Sequence, residues 1–260
     1  MFRENGRGRH PPYEDSPEKI MTENMPITVP HASPAYGPPP YYMRAANIVM
    51  VQFDVDPQAA QEAMSPPLQF VDGVKASVFI GDMEQLPHCG KFHEGGIIVR
   101  AKHKDIEAPY MPYLWTSTDE AVLTGREVYG MPKVLCDDDK LEWSGNQVRG
   151  RIKRRGQDVM AVELNIERLL DPEEIGMIKH RLSVRTIPDL KRPGMAIREV
   201  LNFPLENYQI HEAWEGRASM ELFRTAFSNV HKLQPTAKNF RGYFIRSSWT
   251  LNSVEVIDVV

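Results

Sequence analysis

Short runs of β-branched and aromatic residues, separated by turn-forming residues, recur along most of this 260-residue chain. Ile48, Val49, Val51, Phe53 and Val55 crowd the stretch 46–56. Comparable runs lie at 74–80, 95–103, 110–116, 141–148, 151–165, 178–187, 196–203, 208–213, 217–223, 240–249 and 253–259. Such residues suit a pleated, half-buried surface. Ile97, Ile98 and Val99 are contiguous, which predicts a strand covered on both faces. Ser144-Gly145-Asn146 and Arg155-Gly156-Gln157 supply hairpin turns. Helical stretches are few and short: one from Asp56-Pro57 to Ala63, one from Thr118, a turn or helix at 172–176 and one at 223–230. The expected fold is a β-rich α+β domain, with antiparallel strands curled into a barrel- or cone-like sheet and the final runs closing it.

Residues 1–30 are polar and hold Gly6, Gly8, Pro11, Pro12 and Pro17, which predicts a largely irregular N-terminal arm with at most one helical turn at 17–21. The domain proper is expected over 31–260, entered through an extended, proline-rich segment at 31–42. A net charge of −4 argues against general nucleic-acid affinity. The basic run Arg149–Arg155 has no interleaved aromatics and reads as a solvated hairpin face or subunit contact. No apolar run approaches the roughly 18 residues a membrane helix needs. Two cysteines, Cys89 and Cys136, make no disulfide framework, and the N-terminus lacks a signal-peptide core, so a cytoplasmic protein is expected.

One corner carries the candidate chemistry. Thr118-Asp119-Glu120 reads as a helix start, with a capping hydroxyl and acids in the first turn. Gly130 permits a left-handed turn, and Pro132 biases Met131 out of helical geometry. Lys133 follows at once, flanked by Met131, Pro132, Val134 and Leu135. An amine attacks a carbonyl only when neutral, and in an ordinary lysine of pKa about 10.4 roughly one in 2,500 is neutral at pH 7. Burial penalises the charged form, and lowering a lysine pKa to about 7 costs roughly 4–5 kcal/mol that a fold must supply. Such an amine can form an imine with a keto substrate, and the protonated imine accepts the electron pair left by C–C cleavage. The plainer reading is a lysine snorkelling from an apolar corner.

The run Gly125-Arg126-Glu127-Val128-Tyr129-Gly130-Met131-Pro132-Lys133 resembles the signature of the acetoacetate decarboxylase family. Ser33-Pro34-Ala35-Tyr36, Pro39-Pro40-Tyr41, Pro67-Leu68, His93-Glu94-Gly95 and His211-Glu212-Ala213-Trp214-Glu215-Gly216 resemble further family segments in the same order. The resemblance covers about residues 31–260 and implies a homo-oligomer that needs no cofactor and no metal. It implies that Lys133 is the imine-forming lysine and Glu94 an active-site glutamate. Arg44 would hold the substrate carboxylate, with Phe79 and Met131 on the substrate side of the pocket. Arg126 and Glu127 belong to the signature itself. Activation of the lysine by desolvation or by a neighbouring cation comes with the family, not from these residues.

Two positions depart from the family pattern. Val134 stands where many of its decarboxylases carry a second lysine, and Phe79 takes the place of a second glutamate, with Asp82 and Glu84 just beyond. The resemblance therefore implies a carbon–carbon lyase acting on a keto acid, most directly decarboxylating a β-keto acid such as acetoacetate. It leaves open an aldolase-dehydratase or hydratase using the same imine, and a non-catalytic relative. His88, Cys89, His93 and Glu94 crowd one stretch expected to be a loop, but their spacing matches neither a zinc ribbon nor a helical zinc-protease motif.

Overall fold

The computed structural model describes residues 28–30, 32–176, 179–235, 240–252 and 254–260. Almost all of the expected arm, with its helical turn at 17–21, lies outside them. The chain divides into two units, 1–38 and 39–260. The described residues of the first are bends and turns, and the second carries the regular structure.

In chain order the strands are β1 (Tyr41–Phe53), β2 (Gln69–Phe70), β3 (Ala76–Leu86), β4 (Gly90–His103), β5 (Ile106–Thr116), β6 (Lys133–Leu135), β7 (Glu142–Ser144), β8 (Gln147–Arg154), β9 (Gln157–Leu170), β10 (His180–Pro188), β11 (Met195–Pro204), β12 (Glu206–Leu222), β13 (Phe240–Leu251) and β14 (Glu255–Val259). Two α-helices intervene, α1 (Pro57–Glu62) and α2 (Asp119–Glu127). Eleven strands form one sheet in the order β6-β5-β4-β3-β1-β13-β12-β9-β8-β7, with β2 beside β4. Strands β10, β11 and β14 form a second. Every pairing is antiparallel except β5–β6, which is parallel. This is the β-rich, curled α+β fold expected.

Irregular register along β1, β12 and the β4–β5 pair marks bulges, which bend strands and add twist. The curl brings β3 and β4 against β8, and glycines let the walls meet. A Cβ on Gly150 would lie 2.8 Å from Ile80 Cγ2, and one on Gly95 would lie 2.7 Å from Ile152 Cγ1. The space between the walls is filled by Val49, Val51, Val78, Ile80, Ile97, Val99, Ile152, Val162 and Leu164. Strand alternation sends the intervening residues to the other face. There Met43, Phe79, Met83, Phe92, Met111 and Leu114 form a second apolar cluster with Met131, Phe203 and Trp249.

Some local expectations change. Glu94, expected at a strand mouth after a loop, sits inside β4; only residues 87–89 form the turn after β3. The two strands expected at 208–213 and 217–223 are one, because Gly216 is absorbed in a bulge and does not end the ladder. The last strand does not close the large sheet: β14 pairs with β11. The stretch 223–230 is a bridged turn followed by a 3-10 turn at Val230–Leu233, not an α-helix. No helix among the described residues is long and apolar enough to cross a membrane.

A Gly150→Val substitution forces branched carbon into the β3–β8 contact. It should destabilise the fold by about 1–3 kcal/mol. In urea the midpoint should fall while the slope stays constant.

Candidate active site

The corner that holds Lys133 is built by α2 and its exit. Thr118 caps the helix, its side chain accepting from Ala121 N at 3.4 Å, and Asp119 and Glu120 occupy the positive first turn. Gly130 turns the chain with φ +61°, and a Cβ there would also strike Arg185 N at 2.7 Å. Met131 N donates to Gly125 O at 2.8 Å, and Lys133 N donates to Met131 O at 2.8 Å. The Arg126 guanidinium donates to Lys133 O at 3.3 Å. Strand β6 therefore starts at the lysine with its backbone tied back to the helix.

Register then places the side chains. Across the sheet, Lys133 neighbours Leu114, which neighbours Gly96, which neighbours Phe79. One step along the same face, Thr116 neighbours Glu94, which neighbours Gly81. Lys133 thus reaches diagonally across β5 to Glu94, beside a row where Gly96 lets Leu114 and Phe79 pack closely. The two ends meet at 2.6 Å, Nζ to Oε2, with side-chain exposures of only 10% and 12%. The approach is a charge contact without hydrogen-bond alignment, since Oε2 has no hydrogen-bond donor. Nζ lies 5.5 Å from the centre of the Phe92 ring. The lysine stem passes over Gly125, where a Cβ would fall 2.5 Å from Cδ. Burying both ions is costly, and only their mutual attraction offsets the lost hydration.

The site lies in the apolar cluster on the outer face of β3 and β4. The space enclosed by the curl is packed with aliphatic side chains. Phe79 and Met131 are both buried in the lysine's cluster. Arg44 is exposed at the β1 bulge. Arg126 and Glu127 are also exposed; besides the Arg126 contact, Glu127 O accepts from the Arg185 guanidinium at 3.1 Å. Asp82 and His93 face away from Lys133. His93 Nδ1 lies 2.9 Å from Asp82 Oδ1 and Nε2 lies 3.0 Å from Arg151 O, so this pair ties β3 and β4 to β8. His211 is exposed, 2.8 Å from Ser248 Oγ. Among the described residues no group of three or more His, Cys, Asp and Glu is arranged to hold a metal ion.

The geometry adds residues that sequence reasoning missed. Arg181 on β10 lies over the Trp249 ring, 6.0 Å from guanidinium carbon to ring centre. Burial holds its guanidinium below the usual arginine range, opposed by the nearby Tyr208 and Glu94. Thr116 Oγ1, Arg181 Nε and Trp249 Nε1 are all buried without a partner. No local motif marks these residues; only the pairing of distant strands collects them. Two surface clefts of about 350 and 600 Å³ lie elsewhere, the larger lined by Arg126 and Val134 but not Lys133.

Together these features define a class: a β-rich protein that keeps one lysine and one glutamate in contact on an apolar sheet face. The chain belongs to the acetoacetate decarboxylase (ADC) family, whose model matches residues 24–260. It is 23% identical over 226 residues to acetoacetate decarboxylase 1 of Bradyrhizobium diazoefficiens, covering 86% of this chain and 88% of that protein. A solved acetoacetate decarboxylase structure superposes with a TM-score of 0.82 at 21% identity, covering 94% of this chain and 99% of that one. The enduracididine biosynthesis enzyme MppR complexed with pyruvate superposes with a TM-score of 0.75 at 18% identity, covering 89% and 97%. Family membership and the enzymes among these relatives support a lyase-type enzyme.

Burial pushes the Cys89 thiol up to about 11, an effect the nearby Lys133 charge partly offsets, and the Cys136 thiol up to about 12. At pH 8 only about one Cys89 in a thousand is then thiolate, the reactive form. Native protein should react with a thiol reagent far more slowly than a free cysteine does, and both thiols should titrate promptly in guanidinium. Fast native labelling would contradict this burial.

Proposed function

We propose that this protein is a Schiff-base-forming lyase acting on a keto acid, with decarboxylation of a β-keto acid such as acetoacetate as the first reading. The observation that carries it is the buried Lys133 Nζ, 2.6 Å from Glu94 Oε2. Moving one proton from Nζ to Oε2 gives a neutral amine and a neutral acid, so no charge remains buried in the pair. The amine then attacks the ketone carbon, and Glu94 gives its proton to the departing hydroxyl, so that water leaves and a protonated imine remains on Lys133. The C–C bond to the carboxylate breaks, carbon dioxide leaves, and the bonding pair moves into the C–N system as an enamine. Glu94, reprotonated from solvent, delivers that proton to the enamine carbon and restores a protonated imine. Water hydrolyses the resulting imine, releasing a ketone and regenerating the amine. Each step uses this chain's own groups, and we include no cofactor.

A second reading, an aldolase-dehydratase using the same imine, is favoured by Val134 and Phe79. They replace a second cation and a second carboxylate with apolar surface. A structural relative complexed with the condensation product of pyruvate and imidazole 4-carboxaldehyde points the same way.

Carbon dioxide release from acetoacetate, compared with condensation of pyruvate with aldehydes, separates the two. In whichever reaction is found, Lys133→Met should lower kcat/KM by about 10³-fold or more. Glu94→Gln should lower it by about 10²–10⁴-fold. Lys133→Met also leaves Glu94 buried without its cation, at a cost of about 3–5 kcal/mol, so urea unfolding must establish that the variant remains folded. A folded Lys133→Met protein with full activity would exclude the imine.

A further inference from the structure

Arg181 is a half-buried cation without a counter-ion among the described residues. It stands on β10, opposite the fully buried Phe203 of β11. The residue is half-buried, and its Nε is fully covered. Among the described residues it makes no ion pair, and its Nε has no hydrogen-bond partner. Trp249, beneath it, contributes a second buried donor without a partner, Nε1. Tyr208 stacks on Trp249, with ring centres 5.8 Å apart. Glu94 lies within electrostatic reach of Arg181 but not in contact with it.

Buried polar groups without partners are rare and call for an explanation. An arginine left uncompensated costs the fold stability, because its charge has lost water and gained no anion. An indole N–H is a donor only, and Arg181 is likewise donor-only, so a neutral apolar ligand satisfies neither, and water could accept from both but would leave the charge uncompensated. A carboxylate offers acceptor oxygens to both and neutralises the charge. The arginine named by family resemblance, Arg44, is exposed and lacks this setting.

We infer that Arg181, with Trp249 Nε1 beside it, is the anion subsite that binds the substrate carboxylate and selects keto acids over neutral ketones. This rests on the imine reading of Lys133. In a decarboxylation, the subsite would hold the carboxylate while Lys133 holds the ketone carbon. Arg181 then sets which substrates enter, and Lys133 and Glu94 do the chemistry.

The test uses matched probes with one ketone and either a carboxylate or an ester: pyruvate against methyl pyruvate, and acetoacetate against methyl acetoacetate. Borohydride reduction traps the imine, and intact-protein and peptide mass spectrometry quantify the adduct on Lys133 against probe concentration. Wild-type protein should be half-labelled at lower concentration by the acid than by its ester. Arg181→Met should raise the half-labelling concentration of the acid by about 10–100-fold and leave that of the ester unchanged. Arg181→Lys should recover part of the preference. Thermal unfolding supplies a second readout: Arg181→Met should melt at or above the wild-type temperature, since it removes an uncompensated charge. A merely structural arginine would lower it. Unchanged acid preference in Arg181→Met overturns the assignment while leaving the imine intact. So does a preference lost in Arg44→Gln but kept in Arg181→Met. Absence of any wild-type adduct on Lys133 overturns both readings together.

Discussion

The Lys133 ammonium and the Glu94 carboxylate meet at 2.6 Å with little water around them, and much of the local structure serves that contact. Separated in this environment, each would be an uncompensated ion in apolar surroundings. Together their opposite charges compensate each other. The surrounding groups keep the pair in place by geometry. Gly125 lets the lysine stem lie close to the helix, Arg126 fastens the lysine carbonyl, and Gly96 lets Leu114 and Phe79 pack closely over the sheet.

The large sheet positions this pair from behind. Its enclosed space is packed with aliphatic side chains, and small residues at the contact points let the walls close. The His93–Asp82 link joins the strands carrying the site to β8 on that packed side. A rigid layer therefore backs β4, while Glu94, the very next residue after His93, points the other way. Strand alternation lets one short segment, His93-Glu94-Gly95, serve as a structural tie on one face and as functional surface on the other.

How much of this was legible in the sequence differs by level. The strand positions followed from local composition, and the Thr118 cap and Gly130 turn followed from residues whose chemistry is local. Lys133 and Glu94 were found because the signature run and the His-Glu-Gly run resemble known family segments. Their contact was not legible, because it depends on β6 running parallel to β5 and on the β4–β5 register. Arg181 was passed over for the same reason: within its strand it looks like an ordinary arginine, and its burial comes from β11 and β13, far away in sequence. The second sheet was missed because nothing local tells the last strand to choose β11 over the open edge of the large sheet.

An imine mechanism exchanges the ketone oxygen with solvent, because water leaves when the imine forms and returns when it hydrolyses. The most direct measurement is therefore the rate at which wild-type protein moves ¹⁸O from labelled water into the ketone of pyruvate, read by mass spectrometry against the buffer rate. The account predicts exchange well above buffer in wild-type protein and at the buffer rate in a folded Lys133→Met variant. Exchange no faster than buffer, or equally fast in both proteins, would contradict a covalent role for Lys133.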